Sequence, residues 1–226
     1  MKRLVARISR SFSNVFLRLV SDDDPWERLS VAVAPERYGS GVRHDFTWFL
    51  EVAPILIGLP VLLLTRKRFP LTPLAYTLLA IHACILAVGG HYTYAEVPAG
   101  YWMRDLMGGT RNNYDRLGHL AQGFIPAIVA REILLRTSPL RRGKWLTFLV
   151  ICFCMALSSF YELVEWWTAA ATGTAADAFL GTQGDPWDTQ WDMMLAMIGA
   201  CLSLLLLSRV HDRQMAGLKG RKAAGR

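Results

Sequence analysis

Apolar residues along this chain fall into five long stretches separated by short polar connections. They run from about Phe46 to Thr65, Leu71 to Gly90, Tyr114 to Leu135, Trp145 to Ala171 and Asp188 to Val210. Each has roughly the 20 residues that a helix needs to cross a bilayer. Backbone polar groups cannot stay unpaired in lipid, so the stretches are expected as helices. Pro54, Pro60 and Pro126 predict kinks within them. Trp48, Trp145, Trp166, Trp167, Trp187 and Trp191 fall near the ends, where an interfacial aromatic belt belongs. The fold expected is all-α: a polytopic transmembrane helix bundle over residues 46–210.

The first 45 residues follow another pattern. Leu4, Val5, Ile8, Phe12, Val15, Phe16 and Leu19 recur at helical spacing, and Lys2, Arg3, Arg7, Arg10 and Arg18 fill much of the other face. This predicts a basic amphipathic helix on an anionic membrane surface, followed by a linker. Charges interrupt its apolar part, which argues against a signal peptide. Residues 211–226 are expected as a basic cytoplasmic tail, disordered after Arg213.

Composition fits this picture. The chain is 53% hydrophobic and 19% charged, so charge must be segregated to the ends of the apolar runs. Net charge is +7, but no zinc-finger spacing or basic aromatic groove points to nucleic acid; membrane lipids are the expected partner. Cys84, Cys152, Cys154 and Cys201 all lie within apolar runs and read as packing residues. Basic residues also set orientation. Three lie between the first two spans, four between the third and fourth, and six from Arg209 to the C-terminus, thirteen on one side. The opposite side has Arg104, Arg111 and Arg116. The thirteen-residue side is expected to be cytoplasmic. The basic N-terminus then fits only if residues 15–34 contribute a sixth crossing.

Titratable residues gather at the span ends away from that side. Asp115 and His119 are four apart and share a helix face, which Gln122 extends. Glu162 and Glu165 share another face, and Asp188 and Asp192 a third, with Asp185 a turn earlier. His91, Glu96 and Glu51 fall at the same level, and His82 lies deeper. Carboxylates outnumber the nearby cations Arg111, Arg116 and His119, so such a cluster should hold protons or bind a cation. His119, Glu162, Glu165 and Asp192 are the candidate metal ligands, a set suited to Mg²⁺, Mn²⁺ or Zn²⁺. These four together with Asp115 and Asp188 are the candidate catalytic residues: Asp115, His119, Glu162, Glu165, Asp188 and Asp192. Arg111, His91, Gln122 and Asp185 are candidate substrate-binding residues, Arg111 for an anionic group. Ser158, Ser159 and Thr189 sit in no triad-like setting. The adjacent Arg131 and Glu132 read as a charged pair at the membrane interface.

The stretches FTWFLEVAPILIGLP, GGHYTYAEVP, RNNYDRLGHLAQGF, YELVEWW and DAFLGTQGDPWDTQWDM resemble the YjdF family of bacterial inner-membrane proteins, from about Phe46 to Gln214. That resemblance implies a multi-spanning protein of the bacterial inner membrane, in a family without an assigned function. The order Asp-x-x-x-His, Glu-bearing helix, Asp-rich helix entry is also similar to VanZ-like membrane proteins. Here Glu165 and Asp192 stand where those patterns have Gln and Asn, which makes this mouth more acidic. Three readings follow: a metal-dependent or acid–base enzyme on a lipid or envelope substrate, a non-enzymatic scaffold capped by polar groups, or a small transporter. The absence of an internal repeat weakens the third.

Overall fold

In a computed structural model, residues 45–172 and 181–224 are described. They form α1 (Asp45–Thr65), α2 (Pro73–Tyr92), a 3₁₀ turn (Tyr94–Glu96), α3 (Pro98–Met107), α4 (Tyr114–Thr137), α5 (Lys144–Thr172) and α6 (Asp188–Ala224). No strand occurs among the described residues. Four helices, α1, α2, α5 and α6, are long and apolar enough to cross a membrane. The predicted amphipathic N-terminal helix and the sixth crossing lie outside the described residues. The disorder expected after Arg213 is corrected: α6 continues as helix to Ala224.

The third predicted span, α4, is the centre of the bundle. It misses the apolar composition of its neighbours because it carries Asp115, Arg116, His119, Arg131, Glu132 and Arg136. It packs most extensively on α6, and also on α2 and α5. Lipid offers no hydrophobic gain for joining helices, so close packing of small residues must hold them. The sequence supplies these at one level. A side chain at Gly123 would collide with the Ala196 carbonyl, and one at Gly199 with the Leu120 carbonyl. Backbones of α4 and α6 therefore touch there, with Ala127, Ala196 and Ala200 also buried. Cys154 of α5 reaches the same level, its Sγ 3.6 Å from the Gly123 carbonyl. The outward faces of the long helices carry exposed Phe49, Ile57, Leu64, Phe160 and Leu205, as lipid contact requires.

A candidate cation site between α4, α5 and α6

The Gly123–Ala196–Cys154 level fixes what lies above it. One helical turn toward the α6 start places His119 on α4, Asp192 on α6 and Ser158 on α5. A second turn places Asp115, Asp188 and Glu162. All six are buried. The four-residue spacings read in the sequence are thus brought into one register by a backbone contact that permits close approach.

His119 is the hub. Its Nε2 lies 3.5 Å from Asp115 Oδ1, 3.7 Å from Glu162 Oε1 and 4.0 Å from Asp192 Oδ2. Glu165, buried one turn along α5, completes a second group with His119 and Glu162. Within each group, Asp115–His119–Asp192 and His119–Glu162–Glu165, the ligand atoms lie within 4.8 Å of one another. Several buried polar atoms around this point have no hydrogen-bond partner: His119 Nδ1, Glu162 Oε1, Asp192 Oδ1 and Gln122 Oε1. Ser158, passed over in the sequence for lack of a triad, is fully buried with an unpartnered Oγ.

The remaining predicted residues do different work. Arg111 donates to Asp115 Oδ2 at 3.2 Å and to the Gly181 and Thr182 carbonyls, and forms a tight ion pair with Asp188. Burial opposes its charge, but the Asp188 bond and the fields of Asp188, Asp115 and Asp192 outweigh it, so its pKa is held above the ordinary value. Arg111 thus braces the α6 entry, while its buried Nε has no hydrogen-bond partner. Arg116 holds Asp185 at 2.8 Å and lies over the Trp191 ring. Asp185 also caps the turn into α6, accepting from the Trp187 N–H at 2.9 Å. Gln183 sits at φ 48°, in the left-handed region, where its side-chain amide exchanges two bonds with the Asn112 backbone. His91 ends α2, half-buried and edge-on to Tyr92, outside the convergent groups. Glu96, in the 3₁₀ turn, has its pKa raised by burial. Glu51 is buried on α1, with an unpartnered Oε2.

The opposite end holds a network that the sequence reading did not find. Glu132 is fully buried and accepts from Thr72 N at 3.0 Å, Thr72 Oγ1 at 2.7 Å, Arg136 at 2.6 Å and His211 Nε2 at 3.1 Å. Arg131 donates to His211 Nδ1 at 2.8 Å and pairs with Asp212. A guanidinium only donates, so His211 Nδ1 must accept and its proton sits on Nε2, facing Glu132. Arg131 and Glu132 are therefore a buried joint of α2, α4 and α6, which corrects their reading as an interfacial pair. Their shared partner His211 lies 79 and 80 positions away, beyond any local sequence signal.

Comparison with known proteins agrees with the architecture. The model of a family described as "Predicted membrane protein (DUF2238)" matches residues 29–213. The chain belongs to that family. It is 54% identical over 177 residues to the inner membrane protein YjdF of Escherichia coli (strain K12), covering 78% of this chain and 85% of that one. Neither match is to a VanZ-like protein, so that similarity rests on motif order alone. No solved structure matches the chain.

Proposed function

We propose that the α4–α5–α6 mouth is a divalent-cation centre of a membrane enzyme acting on a lipid or envelope substrate. The observation that carries this reading is an imbalance. Arg111 and Arg116 are committed to Asp115, Asp185 and Asp188. That leaves Glu162, Glu165 and Asp192 converging on one imidazole, with an unpartnered oxygen on Glu162 and on Asp192. Buried like charges this close need protons or a cation between them, and the donor set of carboxylates plus one imidazole suits Mn²⁺, Zn²⁺ or Mg²⁺. His119, Glu162, Glu165 and Asp192 would ligate, with Asp115 orienting His119 as carboxylates orient metal-bound imidazoles. Gln122 and Ser158 would line the floor, and a carboxylate not bound to the ion would serve as general base.

Under the same proposal α4 is a fifth crossing and the centre faces away from the cytoplasm, supported by the thirteen basic residues on the opposite side. For an Escherichia coli-like inner membrane, that is the periplasm.

The test is metal analysis of purified protein, followed by chelation and titration with Mn²⁺, Zn²⁺ and Mg²⁺ while thermal unfolding is followed. Saturable stabilisation of the natural protein, lost in Glu165→Gln and His119→Ala, is expected. No bound metal and no stabilisation would sink the reading. Thr110→Cys, on an exposed loop, should react with an impermeant maleimide in intact cells; labelling only after lysis would invert the orientation.

A further inference from the structure

The ten-residue α3 is short, amphipathic and placed at the same end as the His119 cluster. Pro98 occupies its first turn, and Gly108 ends it in the left-handed conformation, φ 67°, which glycine adopts without penalty. Around its axis, Tyr101, Arg104 and Asp105 form one polar arc: Arg104 donates to Asp105 at 2.6 Å and 2.8 Å and lies over the Tyr101 ring. The neighbouring arc carries Trp102, 75% exposed, and Leu106, 88% exposed, one turn apart, with Met107 also exposed. A soluble surface would leave this apolar edge in water without compensation.

Its surroundings indicate what meets it. Trp166 and Trp167 near the end of α5, and Trp187 and Trp191 at the start of α6, are likewise exposed. With Trp102 they mark one end of the bundle, whereas Trp145 stands at the other. Tryptophans favour the headgroup layer, where an apolar ring and a polar N–H are both served. The apolar edge of α3 thus belongs to the same plane as the lipid-facing helices it adjoins.

We infer that α3 is an interfacial anchor, lying in the headgroup layer of the membrane leaflet on the His119 side with Trp102 and Leu106 directed into the acyl region. The anchor is tied to the cluster. Gly100 packs against Asn112 so closely that a side chain there would collide with it. The Asn112 side chain donates to the Val97 carbonyl at 2.9 Å and accepts from the Tyr114 N–H at 3.0 Å, at the first residue of α4. Asn112 therefore joins the start of α3 to the start of the helix that carries Asp115 and His119. Lipid contact at α3 fixes how deep that mouth sits. The inference does not depend on the mouth binding a cation.

Spin labels at Leu106→Cys and Asp105→Cys test it, on a background with the four native cysteines replaced by alanine, in phosphatidylethanolamine–phosphatidylglycerol vesicles. Leu106 should show a higher ratio of oxygen to aqueous nickel-chelate accessibility than Asp105, as for a site below the headgroups. Equal ratios would put Leu106 in water and overturn the inference. A label at 106 shielded from both reagents would also overturn it, because another protein segment or a second copy would then cover the face. If the cysteine-free background does not fold, Trp102→Phe in the natural chain serves. Brominated phospholipids should quench a smaller share of the fluorescence in that variant than in the natural protein; an unchanged or larger share would overturn the inference.

Discussion

At one end of the bundle, Glu132 collects bonds from Thr72, Arg136 and His211, and Arg131 is matched by Asp212. At the other, Glu162, Glu165 and Asp192 crowd a single imidazole, and oxygens on two of them have no hydrogen-bond partner. Both clusters are buried, both join helices distant in sequence, and both use one histidine on or against α4. They differ in charge balance. The Glu132 network pairs each charge with an opposite one, which is what a purely structural joint requires, since an unmatched buried charge costs several kcal/mol. The His119 cluster lacks that balance. A protein that can build the first arrangement has no structural need of the second, and this contrast favours an ion-binding or acid–base role for the His119 end.

The sharpest way to break the comparison is to unbalance the matched end. Glu132→Ala removes the acceptor shared by Arg136, His211 and Thr72. It should cost about 3–5 kcal/mol, the usual penalty for one partner of a buried pair, seen as a large fall in the unfolding midpoint in detergent or failure to accumulate. A loss under about 1 kcal/mol would show that the network is not a joint. Next comes Gly123→Ala, whose methyl meets the Ala196 carbonyl. Overpacking there should cost about 1–3 kcal/mol and also weaken cation binding, because the same contact sets the distance between His119 and Asp192. Retained affinity would separate the site from that register.

Smaller and opposite in sign is the effect expected at the unbalanced end. Glu165→Gln relieves crowding among buried like charges, so the metal-free protein should be as stable as the natural one or more stable. The same change should abolish the stabilisation by added cation, about 2.7 kcal/mol at a hundredfold excess over Kd. A fall in metal-free stability as large as that of Glu132→Ala would instead make the two ends alike. The smallest effect concerns protons. Ligands must shed protons to hold a metal, so lowering the pH should weaken cation affinity at the His119 end. Titration calorimetry in buffers of different ionisation enthalpy would detect the released protons.

Much of this was legible because membrane helices announce themselves by length, and because Asp115–His119 and Glu162–Glu165 are local spacings on one face. The backbone contact at Gly123 and Ala196, which makes those faces meet, left only small residues as a trace. The burial of Arg131–Glu132 was not legible since its partners, His211 and Asp212, lie just past Val210, where the last apolar stretch ends; the helical continuation of α6 is what brings them in. The α3 helix was hidden by its brevity, although Pro98 and the Trp102–Leu106 spacing were its signals. The ties of Arg111 to Gly181, Thr182 and Asp188 were not legible because they span 70 to 77 positions.

The 37 residues of α6 make a rod about 55 Å long at 1.5 Å per residue. Asp192 is fixed near one end and His211 about 28 Å further along the same rod. Rigid across that length and pressed backbone to backbone against α4, α6 behaves as a connecting shaft. An axial slide or rotation that re-spaces Asp192 from His119 must also strain the seating of His211 between Arg131 and Glu132. A ligand that shifted α6 at the His119 end would therefore also disturb the His211 seat at the opposite end of the bundle.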